Sequence, residues 1–427
     1  MSIFGGLRSA VTGLSAQSQA LGIIADNISN VNTVGYKESQ SQFSTLVTVQ
    51  ATKSLHSPGG VTTNVLRGIE KQGLLEASSS PTDVAVSGNG FFVVNENAAG
   101  TGDILFTRAG SFRPDKDGNL VNTAGFYLMG WPITGGVVQQ TNVLSAMSIL
   151  NVGNLTDVPQ ATSTVSIGAN LSGTAQPADT FDLAVQAFDL QGGAHNVTLT
   201  FNKTVNPNEW TLDGSVQNAL LPNGATTGPL GTVTFNADGT LGAVAANAAN
   251  ATLSGDDLVV TMDYDSNLVT LADQVPVTFD LGTLNLVDGL TQFAGASVPN
   301  FVNQDGRQFG SLNSVSVGED GRVTVLFDNG QSREVYQIPL VTFNNPNGLT
   351  ERSGNVFIET GFSGTPTAHA SNTGGAGSIA PAALEASTVD IADEFTRMII
   401  TQRAFSANTR VITTGDEMLD ELVRIIR

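Results

Sequence analysis

Three histidines are the side chains of this sequence best suited to acid–base or metal chemistry. They lie far apart in the chain, at His56, His195 and His369. The sequence contains no HExxH motif, no GxSxG nucleophile elbow and no phosphate-binding Walker loop. Gly88-Asn89-Gly90 is followed by two phenylalanines instead of a helix start, which predicts a hairpin turn. We therefore expect no catalytic residue, no bound cofactor and no metal site.

A group of aspartates offers a second kind of chemistry, at Asp256, Asp257, Asp263 and Asp265. Paired carboxylates can cleave glycosidic bonds or bind calcium. The competing interpretation is that they are solvated acidic turns of a β domain, and we favour it. An acidic secreted β-protein, such as an adhesin or a carbohydrate-active enzyme, remains an alternative. That alternative explains the middle of the chain but not its two ends.

The charge balance excludes several classes of partner. The chain has 427 residues with 18 Lys+Arg against 38 Asp+Glu, which gives a net charge of −20. Nucleic acids and anionic lipid surfaces are poor partners for such a chain. It contains no cysteine, so disulfides are impossible. Only 13% of the residues are charged, and such a surface permits packing against copies of the same chain.

Export and membrane signals are weak. No apolar run approaches the ~18 residues that a membrane-spanning helix needs. The first residues, MSIFGGLRSAVTGLSAQ, lack a basic start followed by an unbroken apolar block. We therefore expect no membrane insertion, and any export must use a route that needs no cleaved signal.

The first thirty residues carry a heptad stripe. Apolar and small residues step by three and four at Phe4, Leu7, Val11, Leu14, Ser18, Leu21, Ala25 and Ile28. This spacing predicts a helix that pairs with other helices. The turn residues Asn30, Asn32 and Gly35 predict where it ends.

The last forty residues repeat the pattern. The stripe runs through Ile391, Phe395, Met398, Gln402, Phe405, Thr409, Ile412, Asp416, Leu419, Val423 and Ile426. The two ends could pair only with each other, or neighbouring molecules could complete an exposed apolar seam. We favour the second interpretation, because two helices alone bury only part of such a stripe.

The middle of the chain alternates in the manner of β-strands. Glu319-Asp320-Gly321 and Asp328-Asn329-Gly330 predict hairpin turns. Between Lys116 and Arg307 the only basic residue is Lys203, while acidic residues continue, which indicates an inserted acidic β domain. The predicted fold is mainly β, with terminal helices that form a coiled-coil domain and discontinuous β domains that carry the insert.

Several ordered motifs resemble the bacterial flagellar rod and hook family. The segment 24–37, IADNISNVNTVGYK, resembles the family signature NNxANxxTxGFK, although Asp26 stands where the family more often has asparagine. The segments LEASTVDIADEF at 384–395 and TQRAFSAN at 401–408 resemble its C-terminal signature. The residues that carry over from these signatures are Asn27, Asn30, Thr33, Gly35, Tyr36, Gln402, Arg403 and Asn408.

The resemblance implies a division of the chain. It predicts a helical inner domain at 1–30 and 387–427 and a connecting region at 31–72 and 366–386. A middle β domain follows at 73–152 and 288–365, with the outer insert at 153–287. The segment AFDLQGGAHNVTLTF at 187–201 resembles the inserted domain of hook proteins, which favours a hook subunit over a distal rod protein.

The resemblance also implies a structural function and a set of partners. Copies would assemble into a curved tube that acts as a universal joint and transmits motor torque to the filament. The implied partners are further copies, the distal rod, hook cap and hook–filament junction proteins, and the flagellar type III export apparatus. Phe43 and Val47 resemble a short export signal, or they are simply buried in the connecting region.

Overall fold

The computed structural model describes residues 3–46, 59–138, 141–264 and 274–425. The chain forms two compact units, the first comprising Met1–Asn154, Asn313–Leu326 and Ser332–Arg427 and the second Leu155–Leu312 and Phe327–Gln331. The second unit thus takes in residues 288–312, which lie beyond the predicted insert. The four-part division of the chain remains a prediction. Of the helices that the structure describes, none has the length and apolarity to cross a membrane.

Two long helices belong to the first unit, α1 (Ile3–Ser29) and α2 (Ile391–Ile425). Asn30 ends α1, because its side-chain Nδ2 donates to the carbonyl of Asp26 at 2.9 Å. Asp390 starts α2, because its Oδ1 accepts the backbone N–H of Ala392 at 2.8 Å. The two helices pack together, and the predicted class, mainly β with paired terminal helices, is confirmed.

The first unit opens with eleven short strands among the described residues. They are β1 (Ser39–Thr45), β2 (Val61–Arg67), β3 (Leu75–Ala77), β4 (Val84–Ser87), β5 (Phe92–Asn95), β6 (Ile104–Thr107), β7 (Phe112–Pro114), β8 (Leu120–Asn122), β9 (Tyr127–Thr134), β10 (Val137–Val138) and β11 (Ser148–Ile149). A 3-10 turn at Leu144–Ala146 precedes β11.

The second unit follows, and most of its strands are longer. They are β12 (Thr156–Asp157), β13 (Thr164–Asn170), β14 (Thr180–Phe188), β15 (Ala194–Lys203), β16 (Glu209–Val216), β17 (Thr227–Phe235), β18 (Leu241–Ala246), β19 (Thr252–Ser254), β20 (Asp257–Asp263), β21 (Gln274–Asp280), β22 (Leu290–Thr291), β23 (Val298–Gln304) and β24 (Gly310–Val317), whose second half belongs to the first unit.

The chain then returns to the first unit. The remaining strands are β25 (Arg322–Phe327), β26 (Ser332–Gln337), β27 (Leu340–Thr342), β28 (Thr350–Arg352), β29 (Val356–Ile358), β30 (Thr367–His369), β31 (Ser378–Pro381) and β32 (Ala383–Glu385). A 3-10 turn at Pro346–Gly348 precedes β28. Gly330, between β25 and β26, has a φ of +82°, as the predicted hairpin turn requires.

The β part of the first unit is built on one antiparallel sheet with the order β25-β26-β9-β5-β6-β29-β28. Two small sheets tie its N-terminal strands to the returning chain, since β3 pairs with β32 and β4 with β31. The core beneath is aromatic, and Phe106 meets Phe343 edge-to-face with ring centroids 4.9 Å apart.

The second unit is a sandwich of two sheets. Strands β14 to β18 form an antiparallel meander, and β19-β20-β21-β13-β22 form the other sheet with β23 beside β13. Burial in β16 alternates strictly along Glu209–Val216, which places Trp210 and Leu212 in the core. One apolar cluster contains residues of both sheets, so the two inner faces pack against each other.

The two tryptophans allow a matched test of these cores. Trp131 in the first unit donates its indole N–H to the carbonyl of Val143 at 2.9 Å. In the second unit the indole N–H of Trp210 is buried without a hydrogen-bond partner among the described residues. Trp→Phe removes a similar volume at both sites, but only Trp131→Phe also breaks a hydrogen bond. We expect W131F to lower the free energy of unfolding by about 1 kcal/mol more than W210F.

Differential scanning calorimetry of both variants checks this expectation. Each variant retains one tryptophan in the other unit, whose fluorescence serves as an internal control. An equal or larger loss for W210F would contradict the core contacts described above.

Candidate assembly surface

The two terminal helices meet along a line of small residues. On α1 the most buried small residues are Ala10, Gly13, Ala16 and Ala20. On α2 the buried residues are Glu394, Thr401 and Gly415. A Cβ atom added at Gly13 would lie 2.8 Å from Nδ2 of Asn408, and one at Gly415 would lie 2.5 Å from Cδ2 of Leu7. Glycine at both positions therefore lets the helices approach closely.

The predicted α1 stripe lies beside this line of contact. Phe4 and Val11 are 70% and 56% exposed. The other large members of the stripe are half-buried, at Leu7, Leu14, Leu21 and Ile28. The line of closest contact is displaced by one residue, for example from Val11 to Ala10, because small side chains permit the closer approach. The heptad count therefore identified the helix, while its role as a seam for neighbouring molecules remains a prediction.

The predicted α2 stripe is divided in the same way. Met398, Ile412 and Leu419 are half-buried. Its exposed members are Ile391, Phe395, Phe405 and Val423, and Ile426 lies outside the described residues. Pairing of α1 with α2 within one chain therefore does not cover these side chains.

Helix α2 exposes still more apolar residues that the stripe did not include. These are Ile399, Ile400, Val411, Met418, Leu422 and Ile425. They occur along the length of the helix, among polar residues such as Arg403 and Arg410. Apolar surface on this scale marks a site of association.

The loop after α1 is held by the first signature residues. Asn27 is 1% exposed, and its Nδ2 donates to the carbonyl of Ser39 at 2.8 Å. Its Oδ1 accepts the hydroxyl of Tyr36 at 3.2 Å. Thr33 donates its hydroxyl to Oδ1 of Asn30 at 3.0 Å. These hydrogen bonds fix the path of the chain after the end of α1.

Close packing constrains two residues of this loop, Tyr36 and Gly35. Burial, reinforced by the nearby Glu351 carboxylate, raises the pKa of Tyr36 to about 12, so the phenol stays protonated. Gly35 has a φ of +69°, and a Cβ there would lie 2.7 Å from the carbonyl carbon of Arg108. Only glycine fits both the conformation and the space.

A buried charge cluster lies directly behind the loop. Lys37, Arg108 and Glu385 have side chains that are 0%, 2% and 0% exposed. Nζ of Lys37 lies 2.5 Å from Oε1 of Glu385, and Nη1 of Arg108 lies 3.4 Å from Oε2. Burial lowers the pKa of both Lys37 and Arg108, and Glu385 counters it. The cluster joins the loop, the β6 end and strand β32.

A second cluster lies where the loop meets α2. Nη1 of Arg397 donates to Glu38 at 2.6 Å and to Glu394 at 3.1 Å. Burial raises the pKa of Glu38, but hydrogen bonds from Gln40 and Arg397 outweigh it and the net pKa is lowered. Burial raises the pKa of Glu394, and Arg397 only partly opposes it. The guanidinium of Arg397 thus binds two carboxylates whose pKa values are shifted in opposite directions.

The C-terminal signature residues lie in different surroundings. Asn408 is half-buried against Gly13 in the helix pair. Gln402 and Arg403 are exposed on α2. The predicted export-signal residue Phe43 is 46% exposed on β1, and Val47 lies outside the described residues.

The residues considered for catalysis do not converge. His195 contacts Asp189 at 3.0 Å in the second unit, while His369 belongs to β30 of the first. Within the described ranges no group of three or more His, Cys, Asp or Glu side chains could hold a metal ion. His56 and Asp265 lie outside those ranges.

Sequence reasoning did not single out Arg108 or Glu385. Both lie inside segments that resemble the family, FTRAGSF at 106–112 and LEASTVDIADEF at 384–395. Arg108 is the lone charge of its segment, whereas Glu385 shares its segment with Asp390, Asp393 and Glu394. Only the fold shows that the two charges meet.

The Arg397 cluster predicts opposite effects for two similar substitutions. Glu38→Gln removes a carboxylate whose lowered pKa stabilises the fold at neutral pH, so we expect a lower urea midpoint. Glu394→Gln removes a carboxylate whose raised pKa makes its charge unfavourable, so we expect an unchanged or higher midpoint. The E38Q difference should shrink only as the pH falls through the lowered pKa of folded Glu38, whereas the E394Q difference should shrink as the pH falls from the raised pKa of Glu394 to the ordinary pKa of glutamate.

Urea unfolding of both variants at neutral and acidic pH measures this. Glu351→Gln, which alters a more exposed pair with Arg67, is the matched control. Midpoints that fall equally for E38Q and E394Q would contradict the account.

Four family models match the chain in order. They are described as Flagella basal body rod protein (residues 7–37), Flagellar hook protein FlgE/F/G D1 domain (85–172), Flagellar basal body protein FlaE D2 domain (170–307) and Flagellar basal body rod FlgEFG protein C-terminal (380–425). The matched segments include the signature loop, the second unit's sandwich and α2.

Relatives match over the whole length. The chain is 36% identical over 436 residues to the flagellar hook protein FlgE of Brucella suis, with 100% of both chains covered. It is 30% identical over 595 residues to that of Caulobacter vibrioides, again with 100% of both covered. It is 32% identical to that of Escherichia coli, covering 97% of this chain and 98% of the relative.

A solved structure supports the fold. The crystal structure of Helicobacter pylori flagellar hook protein FlgE2 matches with a TM-score of 0.50 and 16% identity, covering 71% of this chain and 98% of that one. The resemblance predicted from the motifs is confirmed by the full-length relatives. The chain belongs to the flagellar hook protein family.

Proposed function

We propose that this chain is the structural subunit of the bacterial flagellar hook and that its terminal helices drive its assembly with further copies. The observation that carries the proposal is the exposed apolar surface of α1 and α2, seen at Phe4, Val11, Phe395 and Phe405. The line of small residues between the helices leaves these larger side chains free for neighbouring molecules.

The energetics favour association through these faces. Covering one exposed aromatic or aliphatic side chain contributes on the order of 1 to 2 kcal/mol. A dozen such positions per chain can offset the loss of freedom on assembly, which costs several kcal/mol per contact formed. Polar residues between these positions would fix how the helices of neighbouring copies align along their length.

The connecting segments would hold each helix pair in a fixed relation to the β part of the same unit. Their contacts are extensive: Gly35 donates its N–H to the carbonyl of Glu385 at 2.7 Å, and Ala386 donates to the carbonyl of Leu74 at 2.8 Å. Such a joint transmits torsion from helices to sheet. The assembly as a whole would then act as the universal joint between motor and filament.

The acidic second unit would lie outermost and set contacts between neighbours. Residues 155–312 contain 15 Asp and Glu but only Lys203 and Arg307 as basic residues. Like charge on neighbouring copies opposes tight adhesion between these units. Bending requires that outer contacts change, which weakly adhering surfaces permit.

The proposal assigns no enzymatic role to the chain. Its partners would be further copies, the distal rod, the hook cap and the hook–filament junction proteins. It would reach the hook through the flagellar type III export apparatus, with Phe43 and Val47 in an export signal. A distal rod protein is not favoured, since the relatives that match over the full length are hook proteins.

Substitution of exposed helix phenylalanines tests the assembly role. Phe395 is 50% exposed and Phe405 37%, so serine at either site costs the folded monomer little. If neighbouring copies cover these rings, each substitution should raise the critical concentration for polymerisation by about 10- to 100-fold. Sedimentation and electron microscopy of purified protein measure this concentration and the shape of the polymer.

Phe362→Ser is the matched control, because this ring is 85% exposed in a loop outside the helices. The native chain and F362S should form curved tubes at the same concentration. Unimpaired assembly of both helix variants, or an equal defect in F362S, would refute the role given to the helices.

A further inference from the structure

One residue, Glu385, closes the joint between the terminal helices and the β part of the first unit. Its Oε1 accepts Nζ of Lys37 at 2.5 Å and the backbone N–H of Gly73 at 2.7 Å. Its Oε2 lies 3.4 Å from Nη1 of Arg108. Its own carbonyl accepts the N–H of Gly35 at 2.7 Å. A single side chain and its backbone thus bind three separate N-terminal segments.

The charges make this residue hard to replace. Lys37 and Arg108 are buried cations, and their other polar contacts are neutral: Lys37 donates to the carbonyl of Lys71 and Arg108 to that of Gly88. Arg108 also stacks over the Phe91 ring, 5.0 Å from its centroid. Without Glu385, two like charges would lie close together in a buried site with no counter-charge, which is strongly unfavourable.

Glu385 lies far along the chain from its three partners. Glu385 follows Lys37 by 348 residues, Gly73 by 312 and Arg108 by 277. Contacts that close such long loops form late in folding, after more local contacts. The second unit lies between them in sequence, and its own contacts can form first.

We propose that Glu385 acts as an electrostatic lock, by which we mean that its contacts with Lys37, Gly73 and Arg108 form last and close the joint. The segments around Lys37, Gly73 and Arg108 stay open until β32 arrives, and the joint then closes in one step. The helical part is therefore fixed onto the β part only after the strands of the first unit's main sheet have paired.

A double-mutant cycle in the full chain tests the charge requirement. Glu385→Gln strands two buried cations and should reduce the folding equilibrium constant on the order of 100-fold or more. Lys37→Met leaves Arg108 and Glu385 as a neutral pair and should cost less. The double variant should be more stable than E385Q alone, because one stranded cation has been removed. Equal single effects that simply add in the double variant would overturn the lock.

Refolding of the unaltered chain tests the order of events, so the proposal stays falsifiable if E385Q does not fold. Pulse-labelling hydrogen exchange should show the amides of Gly35 and Gly73 gaining protection together with that of Ala386. The amides of the β5 and β9 strands should be protected earlier. Protection of Gly35 and Gly73 before Ala386 would overturn the proposal.

Discussion

The carboxylate of Glu385 is the constraint on which the first unit depends. A buried carboxylate is costly unless it is paired, and here two cations and a backbone amide satisfy it. Satisfying it brings the loop after α1, the segment before β3 and the end of β6 to one point. Gly35 completes the joint, since no larger residue fits against Arg108. The helix pair is therefore anchored to the sheet through charge and close backbone contact.

The contact between the two helices depends on small side chains instead of on paired charges. Their mutual contact uses small residues such as Gly13 and Gly415, which leave no room for large side chains. The large apolar residues are consequently displaced to the flanks, where Val11 and Phe395 remain at least half exposed. The helix pair thus buries Gly13 and Gly415 while the phenylalanines of both helices, Phe4, Phe395 and Phe405, stay exposed. Under the proposed function, these exposed side chains are what neighbouring copies cover.

Much of this could be predicted from the sequence, and the failures have a physical cause. The heptad spacing located both helices, and turn residues such as Gly330 located a hairpin, because these signals are local. The contact of α1 with α2 could not be located this way, since spacing weighs large apolar residues and overlooks Ala10 and Gly13. The cluster of Lys37, Arg108 and Glu385 could not be found by spacing, because Glu385 lies 348 residues after Lys37 and 277 after Arg108.

Hydrogen exchange on the monomer and on the assembled polymer tests the central claim most directly. If the joint is complete within one chain, the amides of Gly35 and Gly73 are equally protected in both states. If neighbouring copies cover the helix faces, the amides of α1 and α2 exchange more slowly in the polymer than in the monomer. Helices that gain no protection in the polymer, or a joint that gains protection only on assembly, would contradict the account.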